Sequence, residues 1–258
     1  MVDQERKNVA LLAINQASSC LMTRFGSQLL VDTKPGGSLV SDVDRAVNDI
    51  IVGIIGSCFP DDGILSEESP AKLSRSGYRW IVDPLDGSRN YSIGSHDFGV
   101  GIAIEYNERI ELGICSFPMY SELICAERGK GAVSSNRLGK LNVSDAKKLL
   151  GGIFYPDSNF RRVAEESLGD IKALVEAGCS IRINGCSHLA MTQVASGRAL
   201  IAVSHSAKLW DLAPVVIAVE EAGGKVTNRR GQPWNLGDDI IVATNGIVHD
   251  EVIKLVNR

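Results

Sequence analysis

The sequence predicts an α+β fold, from three features of its patterning. Two apolar-periodic segments open the chain, strands joined by tight turns fill its middle, and helices alternate with strands from about residue 157. No internal repeat and no low-complexity linker interrupts this order.

The first segment, to about Phe25, carries Val9, Leu12, Ala13 and Leu21 among polar residues, the spacing of an amphipathic helix. Lys34-Pro35-Gly36-Gly37-Ser38 has the composition of a mobile turn. After it, Ser41 or Asp42 would cap a helix burying Val43, Val47, Ile50, Ile51, Ile54 and Ile55. Two short apolar runs follow, Ile64-Leu65 entering Ser66-Glu67-Glu68-Ser69, and Trp80-Ile81-Val82 entering Asp83-Pro84-Leu85-Asp86. Residues 98–106 and 109–117 read as a hairpin around Asn107-Glu108, and residues 122–127 as a third strand, which makes an antiparallel region. A short helix is expected at 142–150 and a strand at 153–155. Beyond these come helices to about 177, over 187–195 and from Asp211 to Gly223-Gly224, with strands near Ile181 and at 199–203. Pro214 is read as a first-turn residue of the last helix, where its missing N–H has no helical partner.

The chain's 258 residues suffice for one large domain or two closely joined ones. With 44% apolar and 22% charged residues and no apolar run of membrane-spanning length, it reads as an ordinary soluble chain with no membrane partner. A net charge of −4 with dispersed lysines and arginines argues against a nucleic-acid partner. The polar N-terminus lacks the apolar core of a secretory signal, so a cytoplasmic location is expected. Six cysteines without paired spacing read as buried thiols rather than a zinc site or a disulfide framework.

The stretch from Trp80 to Tyr91 carries the chemistry. A strand ends abruptly in Asp83 and Asp86, three positions apart across a turn, and Gly87-Ser88 then fits the first turn of a helix, whose N–H groups favour an anion such as phosphate. Carboxylates followed at once by an anion nest call for a cation between them, most simply Mg²⁺. Asp44, Glu67 with Glu68, and Asp211 are further acidic stations at element ends. Taken singly, Asp211 reads as a helix cap, and Glu67 and Glu68 as solvated side chains. His96, His188, His205 and His249 share no ligand spacing and are expected to have structural or surface roles. Trp80 and Trp210 are expected to wedge the core and fix carboxylate direction.

The runs WIVDPLDGSRNY (80–91), ILSEES (64–69) and WDLAPVVIAVEEAGG (210–224) together resemble the signature set of the inositol monophosphatase family, Mg²⁺-dependent, lithium-sensitive sugar-phosphate phosphatases. Residues 38–44, 122–131 and Gly185-Cys186-Ser187 with Gly197 resemble further family elements, so the likeness covers most of the chain. It implies a layered αβαβα sandwich with an antiparallel N-terminal sheet and a smaller C-terminal α/β sheet. Residues 1–150 would form the metal-binding part, and 151–258 would contribute Asp211 and substrate contacts. It implies two or three Mg²⁺ held by Glu67, Asp83, the Leu85 carbonyl and Asp86, with Asp211 joining Asp86. Glu68 would lie further out. Catalysis would rest on Glu67 and on a water polarised by Ser88 and Asp44, with phosphate on the Gly87 and Ser88 amides. Lys34 would belong to the family's mobile metal-site loop, and the assembly would be a homodimer.

The substrate follows from differences. Inositol-specific members carry an acidic residue seven positions before the equivalent of Asp211, and here that position is Ser204. Lys208, Arg182 and Arg198 would suit a second phosphate, and Ser187 lies on the substrate-side helix. The expected activity is therefore inositol-1-monophosphatase with fructose-1,6-bisphosphatase activity. A 3′-phosphoadenosine 5′-phosphate phosphatase and a non-catalytic relative acting as a binding partner are the alternatives. Asp42-Val43-Asp44 also spells the nucleophile motif of haloacid-dehalogenase-type phosphatases, but no apolar strand long enough to carry it precedes it.

Overall fold

The computed structural model describes residues 2–33, 39–156, 160–205, 207–238 and 240–257. Asp3 caps helix α1 (Gln4–Arg24) by accepting the Arg6 N–H at 2.8 Å, and the helix buries Ala10, Ala13, Ile14, Ala17 and Leu21 along one stripe. Leu12 was expected inside but is exposed, on the side of the helix opposite Ala10. Strands β1 (Val31–Thr33) and β2 (Leu39–Ser41) pair as a small antiparallel ribbon leading to α2 (Asp42–Cys58). Ser41 caps α2 reciprocally: its hydroxyl accepts from the Asp44 N–H, and the Asp44 carboxylate accepts the Ser41 N–H at 2.8 Å. Val43, Val47, Ile51 and Ile55 are buried, while Ile50 and Ile54 lie at the margin of that face.

The larger sheet contains β3 (Gly63–Ser66), β4 (Ser69–Lys72), β5 (Tyr78–Asp86), β6 (Gly99–Tyr106), β7 (Arg109–Phe117), β8 (Glu122–Glu127) and β9 (Gly131–Ser134) in the order β4-β3-β5-β6-β7-β8-β9. The expected hairpin and third strand are β6, β7 and β8. The sheet is not wholly antiparallel, because β3 and β5 run parallel. Strand β4 folds back along the outer side of β3, so the chain re-enters on the inner side in the direction of β3. This pairing matters for function. It sets Ser66 beside Val82, with the Glu67 N–H on the Val82 carbonyl at 3.2 Å, so two strands release their acidic turns at one end of the sheet.

The smaller sheet, mixed in direction, contains β10 (Ile153–Tyr155), β11 (Ser180–Ile181), β12 (Ile201–Ser204), β13 (Lys225–Asn228) and β14 (Ile241–Thr244) in the order β11-β10-β12-β14-β13. Helices α1 and α2 cover one face of the larger sheet. A five-residue helix α3 (Ser88–Ser92) follows β5, and α4 (Phe160–Glu176) and α7 (His249–Val256) cover the outer face of the smaller sheet. Between the sheets lie α5 (Ser187–Ala195) and α6 (Leu209–Glu221), whose Val194, Leu212, Val216 and Ile217 share one core with Ile81 and Phe117. The result is the αβαβα sandwich.

Two local expectations fail for identifiable reasons. Residues 142–150 form no helix; the Val143 N–H donates to the Ala222 carbonyl at 3.0 Å, and the Asn245 side-chain amide donates to the carbonyls of Ser144 (2.9 Å) and Ala146 (2.8 Å). Tertiary partners thus satisfy the backbone groups that a helix would have paired. Pro214 is not in the first turn but at the sixth residue of α6, which deprives the Trp210 carbonyl of its helical donor. The His188 ring takes that place, with Nε2 at 3.1 Å. Among the described residues no helix is long and apolar enough to cross a membrane.

Candidate active site

The acidic stations converge where β3, β5, α2 and α6 end or begin. Strand β5 carries Asp83 and Asp86 at its exit, separated by a register shift against β6 that accommodates Pro84 and Leu85. Asp83 is buried, its Oδ1 accepting the Leu85 N–H at 3.1 Å while its Oδ2 has no hydrogen-bond partner. Burial first, then the charges of Glu67, Asp86 and Asp211, push its carboxyl well above the ordinary carboxylate range. Asp83 therefore feels its neighbour Asp86 and, from two other stations, Glu67 and Asp211. A buried carboxylate oxygen without a donor, facing like charges, is satisfied by a cation, and the donor set of carboxylates with the buried Leu85 suits a hard divalent ion. Divalent magnesium fits these residues.

Asp86 Oδ2 is held by the His188 N–H at 2.5 Å and the Cys186 thiol at 3.1 Å, both at the start of α5. Burial, and Asp86 after it, pushes the Cys186 thiol up, which keeps it a donor. Asp211 is the third residue of α6, its Oδ2 accepting the Lys208 N–H at 2.6 Å. The capping role is thus real, and it engages Oδ2. Asp44 repeats the device. Its Oδ2 accepts from Ser41, and its Oδ1 accepts from the Ser88 hydroxyl at 2.7 Å, across 44 positions of sequence. The hydroxyl and carboxylate expected to polarise water are therefore in contact. The Ser88 proton is contested, since the Leu85 carbonyl oxygen lies 2.9 Å from the same Oγ.

Gly87 precedes α3 with φ of +85°, the left-handed region, and a Cβ there would lie 2.7 Å from the Asp97 carbonyl oxygen. The turn that presents the Gly87 and Ser88 amides therefore requires glycine. Glu67 is half-buried beside β5, and Glu68 lies next to it in the turn between β3 and β4. Asp42 faces elsewhere, its carboxylate engaged by Arg24 and by the Leu30 N–H at 3.2 Å, which leaves the aspartyl-nucleophile reading without a site. Lys34 and Ser38 lie outside the described residues.

The substrate-side residues divide between two hollows that share Asn184. Ser187 and Ser204 line a small crevice of about 20 Å³ against Cys186 and Met191. Arg182 and Arg198 line a cleft of about 370 Å³ with Asp97, Tyr120, Glu122 and Tyr155. Asn90 of α3 joins this cleft to the acidic centre, donating to the carbonyls of Asp97 (2.7 Å) and Asn184 (2.6 Å). Arg198 is paired with Glu122 at 3.1 Å, whereas Arg182 is exposed. Lys208 is exposed at the start of α6.

His188 is buried, as a structural role requires, and its ring also lies beside the site, with Nε2 3.7 Å from Asp83 and Nδ1 3.7 Å from Asp86. No sequence spacing could have found it, because α5 reaches β5 only through the packing of the central layer. The other histidines differ. His205 meets Asp170 at 2.7 Å, His249 lies between two threonines, and His96 is exposed. Trp80 is in the core as expected, but its indole N–H donates to Asp62 at 2.8 Å, away from the carboxylates. The six cysteines are free; four are buried, but Cys58 is exposed and Cys20 only partly covered.

A layered sandwich that gathers carboxylates and a helix start at the junction of its sheets defines a metal-dependent phosphatase class. The chain belongs to the inositol monophosphatase family, which it matches over residues 3–258. It is 30% identical to a fructose-1,6-bisphosphatase/inositol-1-monophosphatase of Thermotoga maritima, covering 98% of this chain and 96% of that one. It is 34% identical to a histidinol-phosphatase of Mycobacterium tuberculosis, covering 96% of each. A crystal structure of the extragenic suppressor protein suhB from Bartonella henselae superposes with a TM-score of 0.94 at 29% identity, over 99% of both chains.

Proposed function

We propose that the protein is a Mg²⁺-dependent phosphomonoesterase of sugar phosphates, hydrolysing inositol 1-phosphate and fructose 1,6-bisphosphate by attack of an activated water. The observation that carries this reading is the buried, unpartnered Asp83 Oδ2 facing the charges of Glu67, Asp86 and Asp211. Glu67, Asp83, the Leu85 carbonyl and Asp86 would hold the cations, two or three in number, with Asp211 alongside Asp86. When bound, they supply charge neutralisation at the phosphoryl group and a water acidified toward neutral pH.

The remaining roles belong to the chain itself. Ser88 and Asp44, in contact at 2.7 Å, orient the water: with the Leu85 carbonyl committed elsewhere, the Ser88 proton goes to Asp44 and its Oγ lone pairs are free to accept from water. The Gly87 and Ser88 amides hold phosphate oxygens, and Glu67 flanks the water. Ser187 and Ser204 meet the sugar hydroxyls. Arg182, with Lys208, offers positive charge for a second phosphate.

A second reading, hydrolysis of histidinol phosphate, draws on Asp97 in the same cleft, whose carboxylate would suit an ammonium group, and on the 34% identical histidinol-phosphatase. We also read the chain as a cytoplasmic homodimer, which would elute at twice its 27.7 kDa. The deciding experiment compares kcat/KM with Mg²⁺ for fructose 1,6-bisphosphate, inositol 1-phosphate, histidinol phosphate and 3′-phosphoadenosine 5′-phosphate. Preference for the first two supports the principal reading. Preference for histidinol phosphate selects the second, and preference for the nucleotide contradicts both. Absence of turnover on all four supports a non-catalytic relative that acts as a binding partner.

A further inference from the structure

We propose that His188 is itself a ligand of the divalent cation, its ring nitrogen joining the carboxylates of Asp83 and Asp86, so that a site that takes Mg²⁺ gains affinity for Mn²⁺ relative to one built of oxygen ligands alone. The inference deepens, and rests on, the reading of a cation site given above.

The tautomer follows from α6. A carbonyl oxygen only accepts, so the 3.1 Å contact between His188 Nε2 and the Trp210 carbonyl places a proton on Nε2. That carbonyl is available because Pro214, four residues on, has no N–H to offer it. In the neutral ring Nδ1 then carries a lone pair. Nδ1 has no hydrogen-bond partner, the side chain is 0% exposed, and Asp86 Oδ2 lies 3.7 Å away. Asp83 Oδ2 is in the same condition, buried and unpartnered. Two buried acceptors left without donors, each beside a carboxylate, are costly unless a cation serves both.

The ring's place is built into the sheet. Gly101 on β6 stands opposite Asp83 in the register, and a Cβ there would fall 2.2 Å from His188 Cε1 and 2.9 Å from Nδ1. The slot beside Asp83 therefore exists only because that strand position is glycine. The backbone N–H of His188 donates to Asp86 at 2.5 Å, which fixes the first turn of α5 against the same carboxylate. One ligand atom each from Asp83 and Asp86 and one ring nitrogen of His188 lie within 4.8 Å of one another, Nδ1 being 3.7 Å from Asp86 Oδ2 and Nε2 3.7 Å from Asp83 Oδ2. Ligands about 2.0–2.3 Å from a common ion are separated by up to about 4.5 Å, so a cluster held within 4.8 Å lies close to the spacing that one shared ion draws together. An imidazole nitrogen among carboxylates raises the affinity for a transition-metal ion such as Mn²⁺ relative to Mg²⁺, which the carboxylates still bind.

The test uses the full chain loaded with Mn²⁺ and pulsed electron paramagnetic resonance. Direct coordination predicts echo modulation from ¹⁴N, converted to ¹⁵N modulation when wild-type protein is grown with ¹⁵N-histidine. In His188→Ala the modulation disappears, and calorimetric titration shows the Mn²⁺-over-Mg²⁺ affinity ratio reduced by about tenfold or more. Mn²⁺ bound without nitrogen modulation in the wild type overturns the proposal and leaves the cation site standing, as does a variant whose ratio is unchanged. Failure to bind either cation overturns both. The labelled wild type decides the matter even if the variant does not fold.

Discussion

At the scale of single residues, two of the predicted site carboxylates, Asp44 and Asp211, also cap a helix. Asp44 shows both roles: Ser41 occupies Oδ2 and Ser88 meets Oδ1. Removing the hydroxyl should disturb water orientation more than substrate binding, so Ser88→Ala is expected to lower kcat by about 10²–10³-fold with little change in KM. A large rise in KM at constant kcat would instead make Ser88 a binding group. Asp83 gives a second expectation, because its carboxylate is buried among like charges. Asp83→Asn should melt higher than the wild type in chelator and lose activity, as differential scanning fluorimetry and phosphate release would show. A lower melting temperature in chelator would mean that the carboxylate supports the fold. Much of this centre was legible in the sequence, since two strands ending in acids and a Gly-Ser helix start stand close together in the chain. His188 was not, for its position depends on Gly101 and Pro214, which are distant in sequence and adjacent only across the packed layers.

At the scale of elements, alternation located β6, β7 and β8 because each pairs with a strand next to it in sequence across a short turn. The same pattern could not distinguish parallel from antiparallel pairing at β3 and β5, since that depends on where β4 folds back. Residues 142–150 have the composition of a helix, but Asn245 and Ala222 engage their backbone groups instead, and no local signal encodes those partners. Helix α7 offers a pH test. His249 opens it with Nε2 2.9 Å from the Thr227 hydroxyl and Nδ1 2.9 Å from that of Thr244. Thr227 donates its own proton to the Asn228 carbonyl at 2.8 Å, so it accepts from Nε2–H and the neutral ring is satisfied. Burial, with Lys225 next, pushes the imidazole down to about 4 from the ordinary 6.5. The unfolded chain then binds more protons than the folded one between these values. Stability is fully present above about pH 6.5 and falls as pH drops toward 4, by at most about 3 kcal/mol before solvent screening. Denaturant melts of wild type and His249→Asn over this range should show a smaller pH slope in the variant; equal slopes would exclude His249 as the source.

At the scale of the whole molecule, α5 and α6 belong to both sheets at once, and their core includes Ile81 and Phe117 from one half with Val216 and Ala243 from the other. We propose that residues 1–150 and 151–258 are parts of one cooperative unit rather than independent folders. Near- and far-ultraviolet dichroism should then report coincident unfolding transitions, and separated midpoints would refute this. The same joint brings Asp211 from one half to Asp83 and Asp86 of the other, which is why the acids meet only in the assembled sandwich.

The central claim is that these carboxylates act by holding a divalent cation for the phosphoryl group. Its most direct measurement is phosphate release from fructose 1,6-bisphosphate and inositol 1-phosphate as Mg²⁺ is titrated into chelator-treated wild type and Asp86→Asn. Release that rises saturably with Mg²⁺ in the wild type, and falls by about 10²-fold or more in the variant, is the predicted result. Undiminished release in chelator, or a variant as active as the wild type, would contradict it.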